Sequence, residues 1–255
     1  MPRQPVRQPF DLRQEARAGV VDRCQQTAFG IIFRRLWRLP AAGFAALLRK
    51  LVSNEVLLGY SGELSFYAWA RRHGTLTATP FGAIKDVSIL SAFAGNLATL
   101  AMTALAWPFL GLLNIGALSH AMLISTVIIV AVAVLMVVFG RRVFSLPAAD
   151  LRFIFAVHTL RLLATTLLSG LIWHAALPDI GLGMWVLLAA MQLLVTRLPF
   201  VPNKDLMFAS MSFALIGHDA RISILLGLVA ALILVTHLLI GSLLAIAELQ
   251  PDRNR

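Results

Sequence analysis

Apolar residues run along this chain in long blocks, and charged residues fall between the blocks rather than within them. From Val87 to Gly140 there is no Asp, Glu, Lys or Arg, a stretch long enough for two membrane spans of about 20 residues each. The segment from Ile222 to Ala247 is also free of charge. The pattern predicts spans at 87–110, 117–139, 153–175, 182–198 and 222–247. Arg141, Arg142 and Arg152 follow the second of these and Arg197 ends the fourth, whereas the loop after the first carries no charge and the loop after the third only Asp179. Basic and non-basic loops therefore alternate, as topology set by positive flanks requires.

The remaining segments are shorter and more mixed. Residues 1–28 form a polar, basic arm. Residues 29–58 interleave apolar side chains with five cations and are divided by Pro40, a pattern closer to interfacial helices than to a span. Residues 59–73 open on Gly59 and Gly62, carry Glu63, and end on Arg71, Arg72 and His73. Residues 199–217 are interrupted by Pro199, Pro202, Lys204 and Asp205. Both read as short re-entrant or broken segments, which are tolerated at membrane depth where they are packed by protein or line a cavity. The expected fold is an all-α polytopic transmembrane bundle of about five spans plus these two segments, with 29–255 as one membrane domain. The two segments echo one another: Gly62–Tyr67 (GELSFY) followed by VSIL at 87–90 resembles Lys204–Ala209 (KDLMFA) followed by ISIL at 222–225. Paired broken segments point to a binding site between two halves.

Composition supports the membrane reading and narrows the chemistry. Residues are 59% hydrophobic and only 13% charged, and the mean hydropathy is +0.82, far from the balance of a soluble domain. The net charge is +10, and the cations concentrate before the first span, which places the N-terminus in the cytoplasm of a multi-pass inner-membrane protein. Because these cations border apolar spans, anionic lipid headgroups are nearer partners than nucleic acid, which is not expected. The Arg-rich start is unlike a cleavable signal, so the N-terminus is expected to be retained. The single cysteine, Cys24, offers neither an intramolecular disulfide nor a thiolate zinc site. No His pair has the spacing of a helical metal site, so neither metal nor cofactor is expected.

Glu63 is the sharpest candidate, because an ionisable group at membrane depth costs about 2.5–3.5 kcal/mol on insertion scales and is functional by default. The alternative is a carboxylate that favours a helix N-terminus. Arg71 and Arg72 fit a lipid phosphate through their planar donor forks, or anchor a helix end. Arg161 lies inside the third span with His158 one turn before it; it needs an anion such as Glu63, Asp205 or a lipid phosphate, unless it snorkels to the surface. Arg197, Asn203, Lys204 and Asp205 flank the Pro199–Pro202 turn and are read as a site wall. Asn96, His120, His174 and His237 are each isolated in apolar sequence, where a bond between helices is the ordinary explanation.

Taken together, Asn54, Gly59, Gly62-Glu63 and the Arg71-Arg72 pair, with Pro199, Pro202 and Gly217 before the last span, resemble the transmembrane region of lysylphosphatidylglycerol synthases and their flippase-like relatives. The likeness covers roughly residues 45–247. The Arg usual three residues after the Glu is Phe66 here, and the glycine run after Pro202 is Asn203-Lys204-Asp205, so the chain resembles a divergent, shortened member without a soluble transferase domain. The resemblance implies that a polar-headed lipid, an anionic phospholipid or a lipid-linked headgroup, is moved between leaflets or supplied to a lipid-synthesising partner enzyme. It implies binding rather than covalent chemistry, and together with the charges weighed above it leaves Glu63, Arg71, Arg72, Arg161, Arg197, Asn203, Lys204 and Asp205 as the substrate-binding candidates. Two rivals stand beside it. One is a non-transporting scaffold or partner subunit of a lipid-modifying system. The other is an intramembrane serine protease using Ser61 of the Gly-Tyr-Ser-Gly sequence with His237, a pairing that needs nucleophile and base within hydrogen-bond reach.

Overall fold

A computed structural model describes residues 27–37, 41–57, 61–72, 80–112, 143–198, 201–216 and 220–249, with isolated positions between 127 and 134. Among the described residues every regular element is helical. They form α1 (27–37), α2 (Ala41–Val56), α3 (Ser61–Arg72), α4 (Pro80–Ala106, continued by a 3-10 turn over Trp107–Leu112), α5 (Ala148–Ala176), α6 (Leu182–Thr196), α7 (Lys204–Ile216) and α8 (Ala220–Leu249).

Local sequence explains most of the boundaries. α3 carries Glu63 in its first turn and Arg71 and Arg72 in its last, matching the helix dipole at both ends. α4 opens on Pro80, whose fixed φ suits a first helical position and whose missing N–H costs nothing there. α5 follows the extended Pro147, whose carbonyl accepts from the backbone N–H groups of Asp150 and Leu151, and it stops just before Pro178, which cannot continue a helix. α7 starts after Asn203, whose φ of 53° places it in the left-handed region that asparagine tolerates.

Three helices are long and apolar enough to cross a membrane: Pro80–Leu112, Ala148–Ala176 and Ala220–Ile246. Their outward faces are apolar. On α5, Leu160, Leu163, Leu167 and Leu171 are all exposed at helical spacing, forming a stripe fitted to hydrocarbon rather than water. The described bundle is thus an all-helical membrane-type architecture. The expected span at 117–139 lies almost wholly outside the described residues, as do most of the basic arm and Gly59, His73, Pro199 and Gly217.

Two of the helices differ in extent from the expected spans. The helix covering the first starts at Pro80 rather than residue 87, with the charges at Lys85 and Asp86 satisfied inside the fold. Asp86, fully buried, accepts from the backbone N–H groups of Ser145 and Leu146 at 2.7 and 2.8 Å, and Lys85 donates to the Val143 carbonyl at 2.6 Å and to Ser145 Oγ at 3.1 Å. The segment expected as a fourth full span, 182–198, is the 15-residue α6. At about 1.5 Å per residue it is shorter than a hydrocarbon core of about 30 Å, and it packs against α7.

The halves are built alike. A helix, a short hairpin and a long helix occur in order as α1, α2–α3, α4 and again as α5, α6–α7, α8. α2 packs along α8, and α6 packs along α4, so each hairpin leans on the long helix of the other half. Each half has its own aromatic core. Phe66 of α3 meets Phe33 and Trp37 of α1 at ring distances of 4.8 and 6.0 Å, and Phe208 of α7 stacks on Trp173 of α5 at 5.9 Å. The echoed positions are matched in burial: Phe66 with Phe208, Val87 with Ile222, and Leu90 with Leu225 are all buried.

Candidate functional site

Between the two hairpins and the inner faces of α4, α5 and α8 lies a cavity of about 330 Å³. Each half contributes a hairpin whose first helix aims a polar side chain at the acid that opens the second. In the first half, the Lys50 ammonium lies 3.0 Å from Glu63 Oε1, while Asn54 donates from Nδ2 to Glu63 Oε2 at 2.9 Å. The same Asn54 accepts the Gly62 backbone N–H at Oδ1, at 2.7 Å, so one amide closes the hairpin and orients the carboxylate. The Lys50 ammonium also lies over the Phe29 ring, 3.9 Å from its centroid, where the ring quadrupole favours a cation.

This hairpin requires a glycine. A Cβ on Gly62 would collide with the Lys50 carbonyl and sit 2.8 Å from Asn54 Oδ1, so backbone approach depends on its absence. Ser61 donates its hydroxyl to the Ser53 carbonyl at 2.9 Å, a bond that ties α3 to the end of α2.

The second half repeats the plan with different chemistry. At one constant sequence offset, Lys50, Asn54, Glu63 and Phe66 correspond to Gln192, Thr196, Asp205 and Phe208. Gln192 donates from Nε2 to Asp205 Oδ1 at 3.4 Å, where the first half has an ion pair. Thr196 accepts from Arg197 Nε and Nη2 at 3.2 and 3.0 Å, and its backbone carbonyl accepts from the Lys204 ammonium at 2.9 Å. The Asn203 N–H donates to the Glu55 carbonyl at 2.9 Å, joining the second turn to the end of α2.

Arg161 enters from the middle of α5. Its Nη2 donates to Ser91 Oγ at 3.5 Å and its guanidinium faces the Phe29 ring at 5.6 Å. Its Nε is buried with no hydrogen-bond partner among the described residues. Arg197 is near enough to repel it, and Arg197 lies so tightly against α4 that a Cβ on Gly95 would overlap its guanidinium. Both guanidiniums line one partly open cavity together with Lys50 and Lys204 and with the carboxylates Glu55, Glu63 and Asp205, and a guanidinium offers a planar fork of donors to an oxyanion.

Of the residues expected at a site, Glu63, Arg161, Arg197, Lys204 and Asp205 line this cavity together. Arg71 and Arg72 do not. They are exposed at the end of α3, with Arg71 5.9 Å from the Tyr67 ring centroid. Asn203 contributes through its backbone turn, and Pro202 lies exposed beside it. Of the anions expected for Arg161, Glu63 pairs with Lys50 and Asp205 bonds Gln192. Sequence reasoning missed Lys50 because it sits among surface-type cations in an apparently interfacial stretch. In the fold it is buried. Loss of water pushes its ammonium below the ordinary lysine value, and Glu63 pulls it back up.

No family model matches the chain, and no curated protein or solved structure matches it either. Among the described residues no cluster of three or more His, Cys, Asp or Glu could hold a metal ion.

Proposed function

We propose that this protein moves a polar-headed lipid between the leaflets of the inner membrane, or supplies such a lipid to a partner, with the cavity between the hairpins as its headgroup site. The observation that carries the reading is Arg161, inside the apolar bundle and lining the cavity with its Nε buried and without a hydrogen-bond partner among the described residues. A cation at that depth is costly unless an anion joins it. A phosphodiester supplies that anion and accepts hydrogen bonds from the guanidinium, while its acyl chains remain against exposed leucines such as Leu163 and Leu167. The resemblance to the translocating region of lysylphosphatidylglycerol synthases supports the same reading. No bond is made or broken, so the protein is proposed to act without catalytic residues, metal or cofactor. Its N-terminus is cytoplasmic in this scheme, in keeping with the basic flank.

The test is leaflet exchange of fluorescent glycerophospholipids with different headgroups in proteoliposomes. Native protein is expected to exchange at least one of them, and Arg161→Ala to lose at least about tenfold in rate, equivalent to about 1.4 kcal/mol in the barrier. Folded native protein that exchanges none of the lipids, with or without an imposed ion gradient, overturns the translocator reading in favour of a non-transporting partner subunit.

A further inference from the structure

The two hairpins share a plan but differ at one position, and that difference assigns separate roles to their acids. Glu63 faces a lysine, 3.0 Å away. Asp205, its counterpart, faces the neutral amide of Gln192 at 3.4 Å. A carboxylate with a fixed cation beside it stays ionised, whereas one enclosed by protein with only an amide is poised to take up a positive charge.

The groups around Asp205 restrict what that charge can be. From α6 come Gln192 and Arg197, and Arg197 is engaged with Thr196. On α7 itself, Lys204 turns to the Thr196 carbonyl and lies in the field of Glu55 and Glu63. From α8 comes His237, which lies near the middle of that long helix, is 3% exposed and within electrostatic reach of Asp205. Its Nε2 is buried with no hydrogen-bond partner among the described residues. A bound metal ion takes several oxygen ligands, and no cluster that could hold one is found among the described residues. A proton needs one carboxylate and a neighbour able to exchange with it, which is how Asp and His are used inside membrane transporters.

We infer that Asp205 is a proton-binding site on the wall of the headgroup cavity, with the buried His237 in its field, and that Gln192, in place of the lysine found in the first hairpin, leaves this acid free to be protonated. The inference rests on the cavity being the working site of a translocator. Its consequence is that a proton on Asp205 removes a negative charge from the cavity wall, so occupancy of the cavity by an anionic headgroup and protonation of Asp205 favour each other. The step is a simple transfer: the carboxylate gains a proton from water in the cavity and returns it to water.

The test is infrared titration of the full-length protein in phosphatidylcholine vesicles, a measurement that needs no lipid transport and therefore fails or succeeds independently of the translocator reading. On acidification, a protonated-carboxyl C=O band is expected to grow in the native protein ahead of the exposed carboxylates, to be absent in Asp205→Asn and to persist in the double variant Lys50→Met with Glu63→Gln. Gln192→Lys is expected to abolish the band while the protein stays folded, because it gives Asp205 the fixed cation that Glu63 already has. His237→Gln is expected to move the midpoint. Absence of a titrating band in the native protein overturns the inference. So does a band that survives Asp205→Asn or, should that variant fail to fold, one that survives Gln192→Lys. An unmoved midpoint in His237→Gln removes the histidine from the site.

Discussion

The Lys50 ammonium and the Glu63 carboxylate meet at 3.0 Å across the α2–α3 hairpin, with the lysine side chain 6% exposed and the glutamate 20%. Neither is tolerable alone in that position. Removing one partner of a buried pair strands the other charge, at a cost of about 3–5 kcal/mol, whereas removing both costs far less. Lys50→Met is therefore expected to destabilise the protein by about 3 kcal/mol in thermal unfolding, and Lys50→Met with Glu63→Gln to regain most of that loss.

Two glycines separate folding from function. Gly62→Ala drives a methyl into backbone at Lys50, which cannot move without opening the hairpin, and is expected to cost about 1–3 kcal/mol of stability. Gly95→Ala meets instead the flexible end of Arg197. It is expected to leave the melting temperature nearly unchanged while slowing leaflet exchange, because the guanidinium is displaced. Equal thermal losses in the two variants contradict this assignment.

Asp86 anchors the start of α4 to the segment before α5. Each hydrogen bond to a charged group contributes about 1.5–3 kcal/mol, and Asp86 accepts two from backbone. Asp86→Ala is expected to lose about 3 kcal/mol or more and to expose residues near 145 to proteolysis. By contrast, the Arg221–Asp179 pair at 2.7 Å is more than half exposed on both sides. Its removal by Arg221→Ala is expected to change stability by less than about 1 kcal/mol.

Ser61 offers a direct check on the protease alternative. Its hydroxyl is spent on the Ser53 carbonyl, a bond worth about 1 kcal/mol. Ser61→Ala is expected to show that small thermal loss with undiminished leaflet exchange, and a proteolytic activity that vanishes with the hydroxyl contradicts the present assignment.

The amino-acid sequence by itself determined the membrane class, the long helices and the two interrupted segments, since these follow from block hydropathy and from proline and glycine, whose effects are local. It also held the echo between GELSFY and KDLMFA. What it did not disclose is which charges meet. The helix of Lys50 reads as an interfacial strip until α8 and α3 close over it, and Asp86 reads as the edge of a span until the backbone at Ser145 and Leu146 reaches it from another part of the chain. Gln192 carries no signal at all in a linear reading, and acquires one only when α6 and α7 are set beside α2 and α3. Hydropathy reports the cost of exposing each residue to water. The partner that offsets the burial of a charge is fixed by tertiary packing, because it comes from residues distant in sequence and near only in the folded chain.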